Sequence, residues 1–213
     1  MKKLVLFDFD GTLADTSEGI INSHKYAHEQ MMRKIPGEDV LYGVIGGPLL
    51  KTYIDKFCFN EADAVKAVKI YRDYYARQGI NEACLYDGMS DLLSSLKEDG
   101  FKLGIATLKA ESFAIKMADN LGIKQYFDVI HGVDGDDKLT KSLIIDKCIS
   151  DLHLTPDVTI MVGDSIHDYN GAEESGVDFI GVGYGFGFKN CENLVLCKNA
   201  KDLFERIISF NEV

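Results

Sequence analysis

The sequence predicts an α/β protein: a doubly wound, parallel-sheet (Rossmann-like) core with an inserted α-helical cap domain. Strand and helix patterns alternate from Gly88 onward, which is typical of a parallel sheet covered by helices. An apolar run at residues 3–8 predicts an earlier buried strand. The stretch between this strand and Gly88 has clear helix signals and no convincing strand pattern, so it is expected to be an insertion.

The insertion, residues 15–81, is predicted to be helical. Its two strong helix patterns cover 16–34 and 61–78. The second follows Asn60, a favourable N-cap, and ends at Gly79, a common stop signal. We interpret this segment as a cap domain inserted into the core.

The core is expected to comprise residues 1–14 and 82–213. Its predicted strands are 3–8, 101–106, 127–131, 158–162 and 178–182. Its predicted helices are 89–99, 111–121, 141–153, 167–175 and 200–209. Sheets of this kind bind ligands beyond the carboxyl ends of their strands, so polar residues at those ends are candidate site residues.

The composition excludes several functions. The 213 residues are 46% hydrophobic, which suffices for a substantial core. The net charge is -11 and no basic run is present, so binding to nucleic acid is not expected. No segment approaches the ~20 apolar residues of a membrane span, and no signal peptide is expected. The five cysteines are irregularly spaced and are interpreted as reduced thiols, which favours a cytoplasmic location.

Carboxylates cluster at the predicted strand ends. Asp8 and Asp10 stand at the end of the first strand, Asp164 follows a later strand, and Asp168 begins the next helix. Charge at the tip of a strand buried on both faces is costly unless it is paired. Like charges this close cannot all stay ionised without a cation, and oxygen ligands of this kind suit Mg²⁺. The alternative is that each aspartate caps a turn or a helix, but the joint pattern at several strand ends favours a site.

A lysine and two threonines are candidate phosphate ligands. Lys141 lies in the first turn of a predicted helix, behind Thr140, where a cation opposes the helix dipole. Such violations of local rules tend to fall at functional sites. Lys138 is the alternative, but a helix fixes the direction of Lys141 better. Thr12 and Thr107 can donate hydroxyl hydrogen bonds to phosphoryl oxygens.

Other patterns in the sequence are interpreted as structural. His24 and His28 share one helix face, but the His-Glu-x-x-His pattern is absent, so a solvated face is expected. The glycine-rich run 181–187 lacks the spacing of a dinucleotide site and is interpreted as a flexible loop. The aromatic residues of the insertion are expected to pack the cap: Phe57, Phe59, Tyr71, Tyr74 and Tyr75.

These residues resemble the four motifs of the haloacid dehalogenase superfamily of phosphohydrolases. The matching segments, in order, are Asp8-Phe9-Asp10-Gly11-Thr12-Leu13, Thr107, Lys141 and Gly163-Asp164-Ser165-Ile166-His167-Asp168. The insertion is similar to the family's small α-helical cap, and the glycine pattern of 171–187 is similar to the phosphoglycolate phosphatase-like branch. Leu108 stands where many relatives carry asparagine, and no proline follows Lys141.

The resemblance implies a role for each candidate. Asp8 would attack phosphorus, and Asp10 would act as acid and then as base. The implied metal site holds Mg²⁺ with the Asp8 carboxylate, the Asp10 backbone carbonyl and Asp164, supported by Asp168. The implied substrate-binding residues are Gly11, Thr12, Thr107 and Lys141. The cap is expected to close over the crevice and to limit substrate size.

The expected function is therefore that of a Mg²⁺-dependent phosphatase. It would hydrolyse a small, phosphoglycolate-like phosphomonoester through an aspartyl-phosphate, with a small phosphorylated metabolite as its partner. The presence of Asp10 disfavours a dehalogenase, which lacks the second carboxylate, and a phosphonatase, which replaces it. A phosphosugar mutase and a non-catalytic phosphate-binding regulatory module are the alternatives.

Overall fold

The computed structural model describes residues 1–133, 139–188 and 195–211. The chain forms two compact units. One comprises Met1–Asp15 and Cys84–Val213, and the other comprises Thr16–Ala83. The predicted cap, 15–81, differs from the second unit by one residue at its start and two at its end. Lys138, the alternative phosphate-binding lysine, and Cys191 lie outside the described residues.

The first unit has the predicted α/β architecture. The strands, in chain order, are β1 (Leu4–Phe7), β2 (Ala14–Asp15), β3 (Cys84–Leu85), β4 (Lys102–Ala110), β5 (Val129–Val133), β6 (Thr159–Gly163), β7 (Asp178–Val182) and β8 (Leu196–Cys197). Within the described residues, one parallel sheet has the order β5-β4-β1-β6-β7-β8. The short strands β2 and β3 pair antiparallel with each other. The prediction of a Rossmann-like sheet is confirmed.

Helices account for most of the remaining regular structure. The helices are α1 (Ser17–Gln30), α2 (Glu38–Tyr42), α3 (Leu49–Lys51), α4 (Glu61–Arg77), α5 (Met89–Glu98), α6 (Glu111–Asn120), α7 (Lys141–Asp151), α8 (Ile166–Ser175) and α9 (Ala200–Ser209). A π-helical turn covers Thr52–Lys56, and 3₁₀ turns cover Gly79–Asn81, Lys124–Tyr126 and Pro156–Val158. All of the predicted core helices are present, with ends shifted by a few residues.

Strand β1 is central in the sheet and directs the site residues to one edge. Its four residues are fully buried, because sheet neighbours flank it and helices cover both faces. Phe7 pairs with Ile105 of β4 on one side and with Val162 of β6 on the other. The residues that follow these three positions therefore lie toward the same edge of the sheet, which is where parallel sheets bind ligands. Strand β4 is longer than predicted and continues to Ala110.

The second unit has an aromatic core that includes both histidines of α1. His24 and His28 are 1% and 2% exposed, so the expected solvated face is wrong. The ring centroids of His24 and Tyr71 are 4.6 Å apart, and those of His28 and Phe57 are 4.7 Å apart. Aromatic residues of the same unit pack against the face of α1 that carries the two histidines. The imidazole rings are therefore part of this core. The predicted packing role is confirmed for Phe59, Tyr71 and Tyr75, which are buried. Phe57 and Tyr74 are only partly buried and make ring contacts with His28 and Tyr26, respectively.

Two remaining features of the chain concern its cysteines and its helices. The four described cysteines are free thiols: Cys58, Cys84, Cys148 and Cys197. Among the described residues, no helix combines the length and the apolar character needed to cross a membrane.

Candidate active site

Three carboxylates meet at the carboxyl edge of the sheet. Asp8 follows β1, Asp164 follows β6, and Asp168 lies in the first turn of α8. Each offers an oxygen, and these oxygens lie within 4.8 Å of one another. All three residues are buried. The structure therefore brings together three of the four predicted metal ligands in one cluster.

Burial and crowding make ionisation of this cluster unfavourable. Burial, followed by the charges of Asp8 and Asp168, raises the pKa of Asp164 to about 7. The pKa of Asp8 is also raised, chiefly by burial, against the opposing effect of the Lys141 ammonium. Carboxylates with raised pKa values in close contact are typical of sites that bind a cation.

Lys141 is the cation at the centre of the cluster. Its Nζ donates to Asp8 Oδ1 at 2.8 Å and to the Ala106 carbonyl oxygen at 2.9 Å, and it lies 2.7 Å from Asp168 Oδ1. Burial alone would lower the pKa of this lysine, but the charges of Asp168 and Asp8 raise it overall, so it is an ammonium ion at neutral pH. The predicted placement of Lys141 at the start of a helix is found, with Thr140 Oγ1 accepting a hydrogen bond from Leu143 N.

The two carboxylate oxygens of Asp168 contact different neighbours, Ser165 and Lys141. Oδ2 accepts hydrogen bonds from the backbone N–H of Ser165 at 3.0 Å and from its hydroxyl at 2.6 Å. Oδ1 faces Lys141. A Cβ on Gly163 would collide with the Asp168 side chain, which explains why this position is glycine. Asp168 therefore orients Lys141 and caps α8, and its support of a bound Mg²⁺ stays a prediction.

The glycine-rich segment 183–188 holds Asp164 through its backbone. The N–H groups of Phe186 and Gly187 donate to Asp164 Oδ2 at 2.6 and 3.1 Å. A Cβ on Gly185 would meet the Cβ of Asp164 at 2.5 Å, so the loop approaches closely because it lacks a side chain there. The interpretation of this run as a flexible loop did not include this role, in which two of its backbone N–H groups donate to a site carboxylate. The signal in the sequence was the density of glycines directly after a strand.

Asp10 forms an ion pair with a residue that the sequence did not single out. Lys109 Nζ lies 2.9 Å from each oxygen of Asp10, and the geometry of a hydrogen bond is met at Oδ2. Lys109 stands two residues after Thr107 on the extended part of β4. The prediction of a strand that ends at residue 106 placed Lys109 in a connecting segment, where a lysine is unremarkable.

The remaining predicted residues lie at the same edge. Gly11 has φ +79°, and a Cβ there would meet the Asp164 carboxyl carbon at 2.7 Å. The Thr12 hydroxyl is buried and has no hydrogen-bond partner among the described residues. Thr107 Oγ1 accepts a hydrogen bond from Lys109 N at 3.2 Å, and its hydrogen bond to Asp8 lowers the pKa of that carboxyl. An unpartnered hydroxyl beside a carboxylate cluster is suited to binding a ligand oxygen.

The fold is a Rossmann-like parallel sheet, and the site at its carboxyl edge is a cluster of aspartates around one buried lysine. The haloacid dehalogenase-like hydrolase family model matches residues 5–182, and the chain belongs to this family. The resemblance inferred from the four motifs is confirmed.

Relatives with named activities share most of this chain. A 5'-nucleotidase of Pseudomonas aeruginosa is 37% identical over 184 residues, which are 86% of this chain and 83% of the nucleotidase. The tyrosine-protein kinase PtkA of Mycobacterium tuberculosis is 34% identical over 87% of this chain, which spans only 63% of the kinase. The crystal structure of a predicted phosphatase from Clostridium acetobutylicum superposes with a TM-score of 0.90 and 36% identity, covering 98% of this chain and 99% of that one.

Proposed function

We propose that this protein is a Mg²⁺-dependent phosphatase that hydrolyses a small phosphomonoester through a phosphorylated Asp8. The observation that carries the proposal is the environment of Asp8: a buried carboxylate at a strand end, ion-paired with Lys141 and crowded by Asp164. A carboxylate becomes an effective nucleophile toward phosphorus when cations neutralise the phosphoryl oxygens and hold the reacting groups in line.

Asp8 is oriented for attack by Lys141. The hydrogen bond at Oδ1 fixes the rotation of the carboxylate and leaves its second oxygen to approach phosphorus. Attack forms an aspartyl-phosphate and breaks the bond between phosphorus and the ester oxygen. Thr12 and Thr107 are proposed to donate hydrogen bonds to the transferred phosphoryl group, and Gly11 leaves room for it because it has no side chain.

Asp10 is proposed to move the proton in both steps. It protonates the departing oxygen as the aspartyl-phosphate forms. Asp10, ionised again, then takes a proton from the water that attacks the aspartyl-phosphate, which releases phosphate and restores Asp8. One acid–base group on the leaving-group side suffices for both steps because the two steps are the reverse of each other in proton flow.

The residues of the cluster fit a bound Mg²⁺. They supply hard oxygen ligands. The pKa values of Asp8 and Asp164 are raised chiefly by burial and further by the neighbouring carboxylates, and a bound cation would offset both effects. Asp8 and Asp164 would hold the ion, with the backbone carbonyl oxygen of Asp10. When bound, the ion withdraws electrons from the phosphoryl oxygens and so favours attack at phosphorus.

The proposed substrate class is a small phosphorylated metabolite, phosphoglycolate-like in size and charge. Relatives named 5'-nucleotidase, pyrophosphatase and phosphatase support a phosphate ester or anhydride as the bond that is broken. Release of phosphate to water, rather than transfer to a second hydroxyl, is the outcome that distinguishes the phosphatase from the phosphosugar mutase. Binding of phosphate without turnover would instead support the regulatory module.

The test is phosphate release from p-nitrophenyl phosphate and from a panel of phosphorylated metabolites, with Mg²⁺ and with excess chelator. We expect Mg²⁺-dependent turnover by the parent protein and none by Asp8→Asn, which keeps the size of the side chain and removes the nucleophile. Asp119→Asn, at an exposed position of α6, is the matched control and should retain parental turnover. Turnover by Asp8→Asn at the parental rate would refute the proposal.

A further inference from the structure

A buried lysine outside the four motifs contacts the aspartate assigned to proton transfer. The side chains of Lys109 and Asp10 are 6% and 13% exposed, and Nζ lies 2.9 Å from both carboxylate oxygens. We infer that Lys109 is a positioning residue, which fixes the carboxylate of Asp10 where it can reach the leaving-group oxygen and, later, the attacking water. This inference rests on the proposed function.

The position of the Lys109 ammonium is set by the sheet. Lys109 lies in β4, and its backbone N–H donates to the hydroxyl of Thr107 at 3.2 Å. On the neighbouring strand, Gly132 approaches so closely that an added Cβ would fall on the Lys109 carbonyl oxygen. The backbone of Lys109 is therefore held from two sides. Its buried aliphatic side chain extends from there and places the ammonium group next to Asp10.

Asp10 depends on such a contact because its own backbone lies beyond the strand. Strand β1 ends at Phe7, and the next residue after Asp10, Gly11, has a positive φ. A carboxylate on a turn can adopt several rotamers, whereas proton transfer needs one orientation in both steps. Displacement of a catalytic group by about 1 Å can cost up to about a hundredfold in rate.

The two carboxylate oxygens of Asp10 differ in their hydrogen bonding. Oδ2 accepts the hydrogen bond from Lys109. Oδ1 is buried and accepts no hydrogen bond within the described residues, although the ammonium lies 2.9 Å away. The ammonium is equally close to both oxygens but donates its hydrogen bond to Oδ2, so Oδ2 holds the side chain in place and Oδ1 can exchange a proton.

The test begins with Lys109→Met, which keeps the buried stem and removes the charge. We expect kcat for p-nitrophenyl phosphate to fall about 10- to 100-fold with little change in KM, because orientation of Asp10 matters for the chemical steps. Lys109→Arg keeps a cation and should retain more activity than Lys109→Met. Lys201→Met, 86% exposed on α9, is the control and should keep the parental kcat.

The deciding measurement is a double-mutant cycle with Asp10→Asn. If Lys109 acts through the Asp10 carboxylate, adding Lys109→Met to Asp10→Asn should change kcat by less than about twofold. A loss of equal size in both backgrounds would overturn the inference and assign Lys109 a structural role. So would a parental kcat in Lys109→Met. Circular dichroism and thermal unfolding report whether each variant folds, and Lys109→Gln replaces Lys109→Met in the cycle if the latter does not.

The failure of this inference is distinguishable from the failure of the proposed function. Mg²⁺-dependent hydrolysis by the parent, lost in Asp8→Asn, supports the proposed function whatever Lys109 does. An additive cycle on that active background overturns the role of Lys109 alone.

Discussion

The ammonium of Lys141 lies 2.8 Å from Oδ1 of Asp8, joining two buried side chains that are 133 positions apart in the chain. The contact links the end of the central strand to the first turn of α7. Removal of one partner from a buried ion pair leaves an uncompensated charge, which costs more than the pair itself contributes. The site is thus assembled before any ligand binds, and its stability depends on Lys141.

Lys141→Met should lower the free energy of unfolding by about 3 kcal/mol, because Asp8 and Asp168 would lose their common counter-ion. Urea unfolding at neutral pH measures the change. Lys147→Met, on the same helix but half-exposed, is the control and should change stability by less than about 0.5 kcal/mol. Equal stability of the Lys141 variant and the parent would show that the cluster does not need its central cation.

Mg²⁺ should stabilise the folded protein, because it binds the crowded carboxylates of the native state and not the unfolded chain. At a hundredfold excess over Kd, the expected gain is about 2.7 kcal/mol, read as a rise in Tm. Asp164→Asn should remove most of this rise. A chelator-treated sample is the reference, and an undiminished rise in the Asp164 variant would exclude Asp164 as a ligand.

Gly185→Ala should weaken Mg²⁺ binding while the protein still folds. The added Cβ would press on the Asp164 side chain, which the N–H groups of Phe186 and Gly187 hold in place. Isothermal titration with Mg²⁺ checks this directly, without relying on activity. Gly37→Ala is the control, because a Cβ there meets no atom within 4 Å. Identical Mg²⁺ affinity in the two variants would contradict the role given to the loop.

Local signals predicted the part of the site that is built from strand ends and helix starts. The apolar run before Asp8 predicts a strand end, and Thr140 before Lys141 predicts a helix start. The parallel topology then places Asp8 and Lys141 at one edge of the sheet. Lys109 could not be found in this way, because its partner is 99 positions away and the length of β4 depends on pairing with β5.

Two other features could not be predicted from the sequence. One is the set of contacts made by backbone groups, and the other is burial that depends on neighbouring helices. The N–H groups that hold Asp164 have no residue signature except the glycines that permit their approach. The histidines of α1 are polar by type, and their burial follows from aromatic neighbours: Tyr53 on the π-helical turn, Phe57 directly after it and Tyr71 on α4.

The buried histidines predict loss of stability in acid. Burial lowers the pKa of His24 to about 3 in the folded protein, against the ordinary value of 6.5 for the unfolded chain. The unfolded state therefore binds more protons between these values, so stability is complete above about pH 6.5 and falls as the pH decreases toward 3. Between about pH 7.5 and about pH 5, His24 should account for a loss of about 2 kcal/mol.

The measurement is urea unfolding at several pH values for the parent and for His24→Phe, which keeps an aromatic ring and removes the titration. The pH dependence should be shallower in His24→Phe. His153→Asn, at an exposed position with a positive φ that asparagine tolerates, is the control and should follow the parent. Parallel curves for parent and His24→Phe would show that this histidine does not couple folding to pH.

The most direct test of the central claim, that Asp8 is the nucleophile of a phosphatase, is mass spectrometry of protein quenched in acid during turnover. With p-nitrophenyl phosphate and Mg²⁺, a fraction of the protein should carry one phosphoryl group, located by fragmentation at Asp8. Asp10→Asn should enlarge that fraction, because this activated ester needs little acid assistance to leave whereas water still needs a base. Sustained turnover with the phosphoryl group on a different residue, or by Asp8→Asn, would contradict the account.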